Sequence, residues 1–146
     1  MNRISLRVVP GELEDGQPYS AVQITIDGSS LIDLARCAEE PSAKREGHPK
    51  LAGAYAWLPR RGAVQALDAN GAPSDEKIAV LECACGVPGC WPLLAKITAE
   101  EDRVVWSEFE QPHRNEEAAA GHWSFEAFGP FTFDRELYEE ELRAIA

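Results

Sequence analysis

The sequence predicts an α+β domain: an antiparallel sheet of five or six strands with one early helix and one C-terminal helix. Three observations carry this. Apolar and polar residues alternate in several short runs separated by Gly, Pro, Asn and Asp, the pattern of half-buried strands. Two other stretches space their apolar residues at helical intervals. No βαβ rhythm and no internal repeat occurs, so the connections suit antiparallel neighbours.

The first run, Arg3 to Val9, alternates Ile4, Leu6 and Val8 with Arg3, Ser5 and Arg7, and Pro10-Gly11 ends it. Tyr19 to Ile26 repeats the alternation and closes at Asp27-Gly28, so the two pair as a hairpin across GELEDGQP. Ser30 with Asp33 has the form of a helix N-cap, and Leu31, Leu34, Ala35 and Ala38 share a face of a helix that Pro41 should stop. That face leaves Cys37 aside. Pro41 to Lys50 is polar and reads as a surface loop, while Gly53 to Pro59 fits either a short strand or a turn that carries Trp57 inward.

Leu67 to Asp75 is a loop by its Asn-Gly and Pro, and Lys77 to Cys85 is an apolar strand. Trp91 to Thr98 and Arg103 to Phe109 form the clearest hairpin, with Val105, Ser107 and Phe109 on one side and Val104, Trp106 and Glu108 on the other. A polar, turn-rich segment follows. Trp123 to Phe128 then reads as an edge strand broken at Gly129-Pro130, where a second copy could pair to make a dimer. Asp134 caps a last helix with Leu137, Tyr138, Leu142 and Ile145 as its buried stripe.

Composition narrows the function classes. At 146 residues the chain has the size of one domain, 1–146, large enough for a core without disulfides. Fourteen Lys and Arg against 25 Asp and Glu leave a net charge of -11, which disfavours a nucleic-acid partner. No apolar run approaches the roughly 20 residues that span a membrane, and the N-terminus lacks a signal-peptide core, so a cytoplasmic location without membrane contact is expected. Nucleotide, hydrolase and metalloprotease signatures are missing. Acid clusters such as Glu100-Glu101-Asp102 and Glu139-Glu140-Glu141 read as solvated surface.

Chemistry concentrates at LECACGVPGCWPLL, where Cys83, Cys85 and Cys90 fall within C-x-C-x4-C. If the strand persists to Cys85, its period of two puts both C-x-C thiols on one face, and Gly86-Val87-Pro88-Gly89 turns the chain so that Cys90 can return to them. Three readings stay open, in this order. The thiols are structural, since cysteine is a common core residue. Or they bind zinc, which asks for a fourth donor such as Cys37, His113, His122 or His48. Or Cys90 is a nucleophile, activated by His113.

The C-x-C-x4-C spacing resembles the zinc-binding post-SET segment of SET-domain methyltransferases, in which three such cysteines share an ion with a distant fourth; the match covers these eight residues only. Over a longer span, CACGVPGCWPLLAKI, VVWSEFEQPHR and GPFTFDRELYEEEL resemble a family of small bacterial proteins with a CxCGxxGC segment ahead of a V-x-W strand. That resemblance implies a bacterial cytosolic protein and carries no established activity. Taken with the residues, it leads to the expectation of a non-enzymatic binding domain with an unidentified protein partner, its cysteine turn a structural element with the option of carrying zinc. An acidic inhibitor or immunity-type protein for a basic partner is the alternative from charge, and a thiol- or zinc-dependent enzyme using Cys90 and His113 is the alternative from the cysteines.

Overall fold

The computed structural model describes residues 1–70 and 75–146. It contains two antiparallel sheets of four strands each and three helices, where one sheet and two helices were expected. In the first sheet β1 (Ile4–Glu12) pairs with β2 (Pro18–Ile26) from Ile4↔Ile26 to Glu12↔Pro18, and β2 also pairs with β3 (Ser29–Ser30) and β4 (Leu58–Pro59). The second runs β5 (Lys77–Leu81), β6 (Leu93–Ala99), β7 (Arg103–Glu110) and β8 (Phe131–Asp134) in that order. Single bridges, Asn2↔Phe133 and Ala56↔Glu82, join the sheets edge to edge. The sequence pattern shows the longer strands but not which strand meets which, and that is why one sheet was expected.

The first hairpin runs on past Pro10-Gly11, because β1 is an edge strand and the amide that proline lacks is not asked for there. Helix α1 (Leu31–Arg45) starts as expected, with the Ser30 hydroxyl accepting from the Asp33 N–H at 3.4 Å. It does not stop at Pro41. Ser42 and Ala43, the next two residues, lie in the core, and their burial carries the helix through the proline despite the lost hydrogen bond. Its buried stripe is Leu31, Ala35, Glu39, Ser42 and Ala43, so an acid occupies a position where Leu34 and Ala38 had been expected to lead.

Gly53 to Pro59 is a turn followed by the two residues of β4, with Tyr55 and Leu58 buried and Trp57 only half-buried. Helix α2 (Arg60–Leu67) was missed: it is one short element interrupted at Gly62, too brief for periodicity to reveal. Of the loop expected at Leu67 to Asp75, residues 71–74 lie outside the described residues.

Two bulges decide what the second sheet buries. Ala79 and Leu81 face Leu94 and Leu93, so Val80 is an extra residue and both Val80 and Leu81 turn inward. On β7 an extra residue falls between Ser107 and Glu110, where Glu108 takes φ +53°. Alternation therefore switches at Glu108: Val104, Trp106 and Phe109 are all buried, correcting the expectation that placed Phe109 opposite Trp106. Trp123 to Phe128 is irregular rather than an edge strand, held inward by Trp123 and Phe125. Helix α3 (Arg135–Ile145) is capped by Asp134, whose carboxylate accepts from the Leu137 N–H at 3.0 Å. Tyr138, Leu142 and Ile145 are buried, whereas Leu137, at 44% exposed, is not part of the stripe. Among the described residues, no helix is long and apolar enough to cross a membrane.

Candidate metal centre

Leu81 ends β5, and Glu82 makes one bridge to Ala56 before the ladder stops, so the strand does not persist to Cys85. Two successive turns take over. The Gly86 N–H donates to the Cys83 carbonyl at 3.1 Å, and the Cys90 N–H donates to the Val87 carbonyl at 3.2 Å. Pro88 then Gly89 at φ +79° is the pairing a type II turn needs at its two central positions. These turns, rather than strand alternation, gather the thiols: the sulfurs of Cys83, Cys85 and Cys90 all lie within 4.8 Å of one another. A tetrahedral zinc with sulfurs at about 2.3 Å asks for sulfur separations near 3.8 Å, a small closure from this arrangement.

Surrounding residues hold the turn from three sides. The Glu14 N–H, at the tip of the β1–β2 hairpin, donates to the Ala84 carbonyl at 2.9 Å. His113 Nε2 lies 3.3 Å from the Gly89 carbonyl, and its ring stacks on Trp91 at 5.7 Å between centroids. Gln111, 1% exposed, donates to the Pro92 carbonyl at 3.0 Å and to the Tyr55 hydroxyl at 3.1 Å, and its own carbonyl accepts the His113 N–H. Beside these, Arg114 sits over Trp91 and Trp123 and pairs with Glu46 at 3.0 Å, which also accepts the Trp123 indole N–H. These contacts anchor the loop to the hairpin tip and to the segment after β7.

Of the proposed donors, Cys83, Cys85 and Cys90 are brought together, and none of Cys37, His48, His113 or His122 belongs to the group that closes within 4.8 Å. Cys37 is exposed on α1, and His122 lines a surface cavity of about 400 Å³ with Trp123 and Phe125. His113 neighbours the turn but spends its ring nitrogen on the Gly89 carbonyl. An apolar cleft of about 190 Å³ adjoins Cys83, walled by Leu13, Tyr19, Trp57 and Pro88.

Electrostatics distinguishes the thiols. Cys85 is lowered, chiefly because its sulfur accepts the Val87 N–H at 3.4 Å, with further help from Cys83 and Cys90. Cys90 is pushed up to about 11, because its proton is held by Cys85 and Cys83 and a second negative sulfur so close to the first is costly. Several thiolates can share so small a space only around a cation.

Glu39 and Tyr55 were not singled out from the sequence. Glu39 is buried, accepts from the Gly53 N–H at 2.8 Å and from the Tyr55 hydroxyl, and burial pushes its carboxyl up to about 7. The available signal was its spacing, four residues after Ala35 and eight after Leu31 on the apolar stripe.

Gly86 permits the approach of the hairpin. It has φ +84°, and a Cβ there would lie 2.9 Å from Leu13 Cδ1. Gly86→Ala should cost about 1–2 kcal/mol from the left-handed backbone alone. Gly89→Ala, at φ +79° with nothing near, should cost only that strain, so urea denaturation of the pair isolates the Leu13 contact; equal midpoints would show that Leu13 yields freely.

No protein-family model, curated protein or solved structure matches the chain.

Proposed function

We propose that the protein is a non-enzymatic binding domain whose Cys83-Cys85-Cys90 turn holds a zinc ion. The observation that carries this is the convergence of three sulfurs on a turn bonded to the hairpin tip through Glu14 and, through Pro92, to Gln111 after β7. Zinc accepts thiolate and imidazole or carboxylate donors without a redox change, and it would replace the thiol protons that now keep Cys90 neutral. The ion would cross-link the end of β5 to the start of β6, beside the tip of the first hairpin. Support for binding over thiol catalysis comes from the same atoms: Cys90 is raised rather than activated, and His113 bonds a carbonyl rather than a sulfur.

Protein purified without added zinc should carry about one equivalent, measured by elemental analysis, and Cys85→Ser should carry less than about a tenth. Wild-type protein below a tenth of an equivalent, with no uptake when zinc is supplied under reducing conditions, overturns the reading.

A further inference from the structure

We propose that the cysteine turn is also a site of reversible oxidation: a hydroperoxide joins Cys85 to Cys90 as a disulfide, and the new bond expels the metal. The inference rests on the three-sulfur centre proposed above and gives that centre a means of being emptied.

The sulfurs of Cys83, Cys85 and Cys90 lie within 4.8 Å of one another, and all three thiols are free. A disulfide needs its sulfurs at about 2.05 Å, so closure asks for a shift of less than about 3 Å. Between Cys85 and Cys90 stand Gly86, Val87, Pro88 and Gly89, and a glycine at each end lets the chain absorb that shift. Cys90 is exposed, so an oxidant reaches the pair from solvent.

Val87 selects which thiols pair. Its N–H donates to the Cys85 sulfur at 3.4 Å, and its carbonyl accepts the Cys90 N–H at 3.2 Å, so one residue holds both partners. Cys83 belongs to the preceding turn, where its carbonyl accepts the Gly86 N–H at 3.1 Å, and it keeps its thiol. Cys37, exposed on α1, lies outside the group and has no second thiol of it to join.

Two thiols and one hydroperoxide give the disulfide, one alcohol (water, from hydrogen peroxide itself) and one water. One sulfur attacks the terminal peroxide oxygen, forming an S–O bond as the O–O bond breaks and the alcohol leaves. The other sulfur then displaces that oxygen, which departs as water with the second thiol's proton. Two electrons pass from the sulfur pair to the peroxide. With zinc bound, the two sulfurs start as thiolates and solvent supplies the protons. Cys83 then offers a single donor, too few to hold the ion.

The test treats Cys37→Ser protein, apo and zinc-loaded, with hydrogen peroxide; the thiols that remain are Cys83, Cys85 and Cys90. Two of them should be lost, with a mass decrease of about 2 Da and a Cys85–Cys90 linked peptide on mapping. The loaded sample should release zinc to a chromophoric chelator until less than about a tenth of an equivalent stays bound, and a phosphine reductant should restore both thiols and binding. Cys83→Ser in this background should still form the bond. Cys90→Ser should instead accumulate a sulfenic acid that dimedone traps. Peroxide that leaves every thiol intact, that carries them to sulfinic acids with no disulfide, or that links Cys83 to Cys90 overturns the proposal, while the metal reading stands on its own zinc content. If the protein takes up no zinc, the metal reading falls, and the apo sample alone decides the disulfide.

Discussion

Trp106→Ala should lower stability by about 3–5 kcal/mol, the range for emptying a fully buried aromatic site. Trp106 is wholly buried on β7, edge-on to Phe133 at 5.5 Å and to Tyr138 at 6.3 Å. Its indole N–H donates to the Tyr138 hydroxyl at 3.2 Å, and that hydroxyl donates to the Leu67 carbonyl at 2.5 Å. One side chain thus ties β7 to β8, to α3 and to the end of α2. For a chain of this size the loss corresponds to a fall in melting temperature of roughly 10–15 °C, readable by near-ultraviolet circular dichroism. Trp106→Phe should lose less, because it keeps most of the packing and leaves Tyr138 its bond to Leu67. A drop under about 1 kcal/mol for the alanine variant would mean that the cavity collapses or that Trp106 is not central to the core.

Glu39 should make the protein less stable as pH rises. Its folded pKa, about 7, lies above the ordinary 4.5, because burial penalises the charged form more than Tyr55 and Gly53 relieve it. The fold therefore binds this proton more tightly than the unfolded chain does. That contribution is full below pH 4.5 and is lost as pH rises towards 7; about 2.5 units correspond to about 3 kcal/mol. Other groups titrate over the same window, so the informative quantity is the difference from Glu39→Gln, which cannot ionise. Urea denaturation from pH 4.5 to 7.5 should show wild type losing about 3 kcal/mol relative to the variant. Parallel curves would show that Glu39 is effectively solvated.

Why an acid belongs there follows from the hydrogen bonds. Glu39 holds the Gly53–Tyr55 turn to α1, Tyr55 meets Gln111, and Gln111 meets Pro92 just beyond Cys90. An apolar residue at 39 would leave the Gly53 N–H and the Tyr55 hydroxyl without these partners in the core. The same network gives the cysteine turn one of its anchors, which links the stability of the core to the shape of the candidate site.

Local chemistry made much of the molecule legible. The β1–β2 and β6–β7 hairpins, the caps at Ser30 and Asp134, and the C-x-C-x4-C turn all depend on neighbours a few residues away, and a sequence displays those directly. Extra residues at Val80 and Glu108 escaped notice, because a bulge is defined by what lies opposite it on another strand. The extension of α1 through Pro41 and the burial of Glu39 were likewise decided by surfaces from distant parts of the chain.

The cysteine turn shows the same division. Spacing alone determined that three thiols could meet, since glycine and proline supply the turns within eight residues. Which groups stand beside them was decided by tertiary structure. His113 arrives 23 positions after Cys90 in the chain and is occupied by a carbonyl, while Glu14 arrives from 71 positions before Cys85 on the tip of a hairpin. Sequence carries the donor types and their local geometry; which distant groups stand against them is set by which surfaces the core packs together, and that information is non-local.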